Sequence, residues 1–158
     1  MDMLSALANS STSIELLSQL SDELIKRGYV KEGYCEALLE REKTYPTGLS
    51  FNHNFNIAIP HTNIGFTQKE VMIVAKTRGF PISFYKMDNP TETIEVKIIF
   101  LFAIKESKRY IQFLSNFLEL LNNPQYQNII IDLPPKNIVH VLNKEISQYD
   151  FSYKGSLL

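Results

Sequence analysis

The chain has 158 residues, 44% of them hydrophobic and 21% charged, with a formal net charge of -1. That length suits one domain with a substantial core, and the near-neutral balance offers no field for nucleic acid or an anionic membrane surface. Cys35 is the only cysteine, which excludes an internal disulfide and a cysteine-rich zinc site and fits a reducing, cytoplasmic setting. No run approaches the ~18 apolar residues of a membrane-spanning helix, so no membrane insertion is expected.

Met1 to Ser10 are small and mildly apolar and read as a flexible lead-in over residues 1–12. Leu16, Leu17, Leu20, Leu24 and Ile25 recur at helical spacing, which predicts a helix over Ser13 to Arg27, capped by Ser11 or Ser13 and stopped by Gly28. A second helix is expected over Lys31 to Glu42. Thr44 to Phe55 is turn-rich. Ile57 to Ile59 reads as a short buried strand, Val71 to Thr77 as a strand and Ile82 to Tyr85 as another, followed by a turn at Asp88 to Pro90. Ile94 to Ile104 alternates at first and then turns continuously apolar, as a strand buried on both faces would. Helices are expected over Tyr110 to Leu121, Pro124 to Ile131 and Pro135 to Ile146, with Pro135 suited to a first turn. The tail, 149–158, carries no pattern. The sum is one α/β domain over 13–148, a mixed sheet flanked by helices on both faces.

The most informative segment is Asn56 to Thr62, NIAIPHT. Pro60 ends the strand, fixes its own φ and biases Ile59 toward extended backbone. His61 follows at once, at the carboxyl end of a core strand, where open α/β sheets bind ligands. An imidazole held so firmly suits a nucleophile or a ligand.

RE at 41–42, PTGL at 46–49, IAIPHT at 57–62, FPISFYKMDNP at 80–90 and VKIIFLFAIKES at 96–107 together resemble the signature of a bacterial phosphotransferase-system (PTS) IIA domain of the fructose/mannitol-like type 2, nearest the galactitol-type branch. The resemblance spans Ile14 to Ile146. It implies a cytoplasmic phosphocarrier that takes a phosphoryl group from the phosphocarrier protein HPr onto one histidine. It then passes the group to a cysteine of a cognate IIB component, while a membrane IIC component moves a sugar or polyol. No cofactor is expected, since the phosphoryl group comes from phosphoenolpyruvate through HPr. By its place in IAIPHT, the phosphorylated residue should be His61.

The chemistry agrees. A neutral imidazole is already nucleophilic, and an ordinary histidine pKa near ~6.5 keeps it mostly neutral at cytoplasmic pH. The resemblance implies attack through the ring nitrogen farther from the backbone. Arg41 matches the arginine of the RE element, and a guanidinium can grip phosphate oxygens through paired hydrogen bonds. Thr47 and Gly48 read either as a hydroxyl donor and a close backbone approach to phosphate, or as a plain turn. Thr62 could donate to the phosphoryl group or cap its loop.

Relatives of the mannitol and fructose types often carry a second histidine after the long strand, where this chain has Tyr110. A tyrosine hydroxyl can donate one hydrogen bond but carries no positive charge. Tyr110 is thus a candidate helper in that histidine's place. Lys108 and Arg109 could supply charge instead but read rather as surface residues. His53 could approach the site but reads rather as a surface loop residue, and His140 reads as structural or surface. Three histidines without a partnering acidic pattern make no case for a metal. Cys35 reads as packing. A second reading keeps the fold and gives it a regulatory task, reporting carbohydrate state by phosphorylation-dependent binding of a regulator. A small-molecule-binding domain without phosphorylation would need the motif match to be accidental.

Overall fold

A computed structural model describes residues 1–146 and 149–158 of the chain. Among the described residues, fifteen successive segments comprise eight strands, five α-helices and two 3-10 turns. Strands β1 (Asp2–Ala8), β2 (Gly48–Phe51), β3 (Phe55–Ala58), β4 (Val71–Thr77), β7 (Ile98–Ala103) and β8 (Ser152–Leu157) form one mixed sheet in the order β2-β3-β7-β4-β1-β8. Strands β5 (Ile82–Tyr85) and β6 (Thr93–Val96) pair separately as an antiparallel hairpin.

The sheet separates two cores. Along β7, Ile98, Phe100 and Phe102 face one side while Ile99, Leu101 and Ala103 face the other, following the twofold alternation of strand side chains. Helices α1 (Ser13–Lys26) and α2 (Tyr34–Thr44) cover the second side through Leu16, Leu20, Leu24, Tyr34 and Leu38. Helices α3 (Ser107–Leu121), α4 (Pro124–Ile130) and α5 (Pro135–Glu145) cover the first through Phe113, Phe117, Ile130, Ile138 and Leu142. The α/β class with helices on both faces is therefore as expected.

Local signals explain the ends of α1. Thr12, rather than Ser11 or Ser13, is the N-cap, and its hydroxyl accepts the Glu15 N–H at 3.1 Å. At the other end Tyr29 N–H reaches Leu24 O and Gly28 N–H reaches Ile25 O, with Gly28 at φ +73°, the paired bonds of a glycine-terminated helix. Helix α2 starts three residues later than expected, because Gly33 at φ +86° holds its N-cap outside helical space.

Three expectations need correction. Residues 1–12 are no flexible lead-in: β1 lies inside the sheet between β4 and β8, with Met3 and Leu4 wholly buried. Asp2 and Ser5 interrupt its apolar run, yet each has a distant partner. Asp2 accepts from the Tyr29 hydroxyl at 2.8 Å and from Lys69 at 2.6 Å, and the Ser5 hydroxyl bonds the Tyr153 hydroxyl at 2.9 Å. The tail is likewise structured, since β8 pairs in parallel with β1. The domain thus extends past both proposed limits, and the limit at residue 148 lies outside the described residues. The single strand expected over Ile94 to Ile104 is two, broken at Lys97. The alternating half belongs to the half-exposed hairpin and the continuous half to the buried sheet.

The turn-rich segment hides β2, which pairs antiparallel with β3 across a tight turn where His53 and Asn54 adopt φ +65° and +59°.

Candidate functional site

The site is built where β3 runs out. Ile59 and Pro60 are buried beyond its last residue, and Phe102 N–H donates to Pro60 O at 3.0 Å, so the chain stays tied to β7 up to His61. This anchoring fixes the backbone at a residue that is itself only half-buried.

The imidazole is oriented locally. His61 Nδ1 lies 2.9 Å from the Ile59 carbonyl oxygen. A carbonyl can only accept, so Nδ1 carries the proton and Nε2 keeps its lone pair. Burial lowers the pKa of His61 below its ordinary value, the Ile59 bond works against that shift, and the Arg41 charge adds to it. The resting ring is a neutral, singly protonated base.

His61 lines a cleft of about 350 Å³ together with Arg41, Thr62 and Tyr110. Arg41 comes from the last turns of α2 on one side of the sheet, and Tyr110 from the first turn of α3 on the other. The Tyr110 ring packs against both His61 (centroids 5.9 Å apart) and Phe102 (5.6 Å). Arg41 Nε and the Tyr110 hydroxyl are both buried without a hydrogen-bond partner among the described residues. Leaving such groups unsatisfied costs about 1–3 kcal/mol each, so two of them at one cleft point to an acceptor from outside the protein. Burial pushes the Tyr110 pKa up, and its hydroxyl stays protonated as a donor. Arg41 also lies over the Tyr45 ring at 5.4 Å, which restricts its guanidinium. One fixed cation, one neutral donor and a neutral nucleophile suit a small, highly charged anion.

The structure therefore brings together His61, Arg41, Thr62 and Tyr110. It does not bring Thr47. That side chain is 1% exposed, and its hydroxyl bonds the Glu42 carboxylate at 2.8 and 3.0 Å, so it is not a phosphate donor here. Gly48 permits a close approach, but to protein. A Cβ there would sit 2.5 Å from Tyr85 O, and Met87 N–H donates to Gly48 O. His53 sits at the β2–β3 turn, at the opposite end of β3 from His61. Lys108 and Arg109 are exposed, and His140 on α5 packs against Tyr153. Cys35 is free and partly buried. Glu42 was passed over in the sequence; its place beside Arg41 in RE, five residues before Thr47, was the available signal.

A mixed α/β sheet that presents one imidazole beside an arginine at an open cleft has the chemistry of an anion-handling domain. The model of one family, described as phosphoenolpyruvate-dependent sugar phosphotransferase system, EIIA 2, matches residues 3–145, and the chain belongs to that family. The galactitol-specific EIIA component of Escherichia coli K12 is 21% identical over 136 residues, covering 86% of this chain and 89% of that one. Among solved structures, the mannitol IIA of Escherichia coli superposes with a TM-score of 0.65 at 20% identity, covering 89% of this chain and 94% of that one. A second, IIA-mannitol in complex with phosphorylated IIB-mannitol from Escherichia coli, gives 0.65 at 19% identity, covering 94% of each chain. Both establish the fold. Among the described residues no helix is long and apolar enough to cross a membrane.

Proposed function

We propose that this chain is a phosphocarrier that accepts a phosphoryl group on His61 Nε2 from phospho-HPr. It then hands the group to the cysteine of a IIB component, in a system that takes up a sugar or polyol of the galactitol kind, and works in the cytoplasm. The observation that carries the reading is the 2.9 Å approach of His61 Nδ1 to the Ile59 carbonyl oxygen. With Nδ1–H committed to the Ile59 carbonyl, Nε2 is the nitrogen able to attack.

In the accepting step the Nε2 lone pair forms a bond to phosphorus as the donor's N–P bond breaks. The Nδ1 proton stays in place, and its bond to Ile59 O gains charge assistance as the ring becomes cationic. Arg41 and the Tyr110 hydroxyl, with Thr62, are suited to hold the phosphoryl oxygens. In the return step a cysteine thiolate attacks phosphorus and the ring becomes neutral again. The IIB partner is supported by the complex of IIA-mannitol with its IIB, and the galactitol class by the galactitol-specific relative.

The test is incubation with phosphoenolpyruvate, Enzyme I and HPr. An acid-labile, base-stable phosphoryl group should appear on the wild type, vanish in His61→Ala and form about 10- to 1000-fold more slowly in Arg41→Ala. An unlabelled wild type would refute phosphotransfer. Label that survives His61→Ala would refute the site. Label that never passes to a IIB cysteine would favour the regulatory task.

A further inference from the structure

Glu42 has no part in that scheme, yet its surroundings are unusual. It is the chain neighbour of Arg41 on α2, and burial raises its pKa against the opposing pull of two Thr47 hydrogen bonds. Among the described residues no lysine or arginine lies within ion-pair distance of it. A partly buried carboxylate without a cation is a costly way to hold a turn.

Its partners lead to the nucleophile. Glu42 accepts the Thr47 N–H at 2.9 Å and the Thr47 hydroxyl at 2.8 and 3.0 Å. Thr47 O accepts the Ile59 N–H at 3.2 Å, and Ile59 O accepts His61 Nδ1–H at 2.9 Å. We infer that Glu42 is a positioning residue: through Thr47 and Ile59 it fixes the imidazole of His61 relative to its own neighbour, Arg41. This rests on reading His61 as the phosphoryl acceptor. A carboxylate is an acceptor only, so both Thr47 donors must point to it. That locks Thr47 into one orientation and with it the carbonyl that receives Ile59. The same side chain ties the end of α2 to the β2 start, so the helix bearing the guanidinium cannot shift without the strand bearing the nucleophile. Displacements of about 1 Å between reacting groups can cost about 100-fold in rate, which gives such a brace a kinetic consequence.

The experiment uses Glu42→Gln, Thr47→Val and the double variant, with Thr47→Ser as the conservative replacement. Long-range ¹H–¹⁵N spectra of the unphosphorylated proteins read the His61 tautomer, with His140 as an internal reference for the fold. Phosphorylation by phospho-HPr reads the rate. Wild type should show the Nδ1–H tautomer alone. Glu42→Gln and Thr47→Val should show a mixture with Nε2–H and react about 10- to 100-fold more slowly. The double variant should be no slower than the slower single one, and Thr47→Ser should stay within about twofold of wild type.

An unchanged His61 tautomer in both single variants would overturn the inference whatever the rate, and so would fully independent effects in the double variant. If Glu42→Gln fails to fold, Thr47→Val, which retains the backbone N–H hydrogen bond to Glu42, carries both readouts. If wild type takes no phosphoryl group, the proposed function fails while the tautomer arm still decides whether Glu42 orients His61.

Discussion

Arg41 and Tyr110 approach one cleft from helices on opposite sides of the sheet, and each carries a buried polar atom, Nε and the hydroxyl, that no described residue satisfies. Neither helix alone forms the site. It exists because α2 ends and α3 begins near the point where β3 stops and β7 continues through Phe102, and His61 occupies that step.

The state of His61 sets a pH dependence. Its folded pKa lies below the ordinary histidine value of 6.5, burial being the first cause. A nucleophile that must be neutral loses activity as pH falls through that lowered pKa. The acid limb of the phosphorylation rate should therefore have its midpoint below 6.5, at more acid pH than a solvent-exposed histidine. ¹⁵N titration of the ring checks it directly, and a midpoint at or above 6.5 would contradict the assignment.

Tyr110→Phe separates stability from function. Removing a buried hydroxyl without a partner should leave stability unchanged or raised by up to about 1 kcal/mol in denaturant unfolding. If the hydroxyl donates to the phosphoryl group, the same change should slow phosphorylation about 10-fold or more, the worth of one hydrogen bond to a charged group. Equal rates for the two proteins would remove Tyr110 from the site and leave it a packing residue against Phe102.

Gly48→Ala should destabilise the fold by about 1–3 kcal/mol, because the new methyl group collides with the Tyr85 carbonyl, a backbone atom that cannot swing aside. The loss should appear in thermal unfolding.

Asp2 gives a stability profile with a definite sign. Burial alone would raise its pKa, but hydrogen bonds from Lys69 and Tyr29, with the Lys69 charge, outweigh that and hold it below 3.8. A depressed carboxyl contributes stability that is complete above its unfolded value and lost as pH falls through the folded one. Asp2→Asn should lose about 1 kcal/mol near neutral pH, a modest figure because Lys69 is largely exposed. The variant should also unfold with less dependence on pH below 3.8. Tyr29, whose hydroxyl donates to Asp2 and whose pKa is pushed up to about 12 by burial and that bond, should titrate nearer its ordinary value in the variant.

Much of this architecture was legible where local signals act alone. The apolar spacing of α1, Gly28 at its end and the proline at the start of α5 each carry a physical instruction within a few residues. The presentation of His61 by Ile59 and Pro60 was legible for the same reason. What failed was non-local. Strand β1 reads poorly because Asp2 and Ser5 are satisfied by Tyr29, Lys69 and Tyr153, residues far along the chain. Thr47, open between a phosphate donor and a plain turn in the sequence, is decided by a local contact: its hydroxyl is taken by Glu42, five residues before it, once the turn folds. The division at Lys97 is written in the pattern, as a change from alternating to continuous apolar residues.

Strand β1 sits between β4 and β8, with Asp2 in register opposite both Val71 and Ser152. On the ribosome, at about 5–20 residues per second, the partner of Asp2 on the β8 side is not made until about 8 to 30 s after Asp2 itself. Until then one flank of β1 is an open row of backbone donors and acceptors, able to pair with another nascent chain. Separations this large between paired residues also slow the final closure, so the interval before β8 docks is when this protein most needs shelter from its own copies.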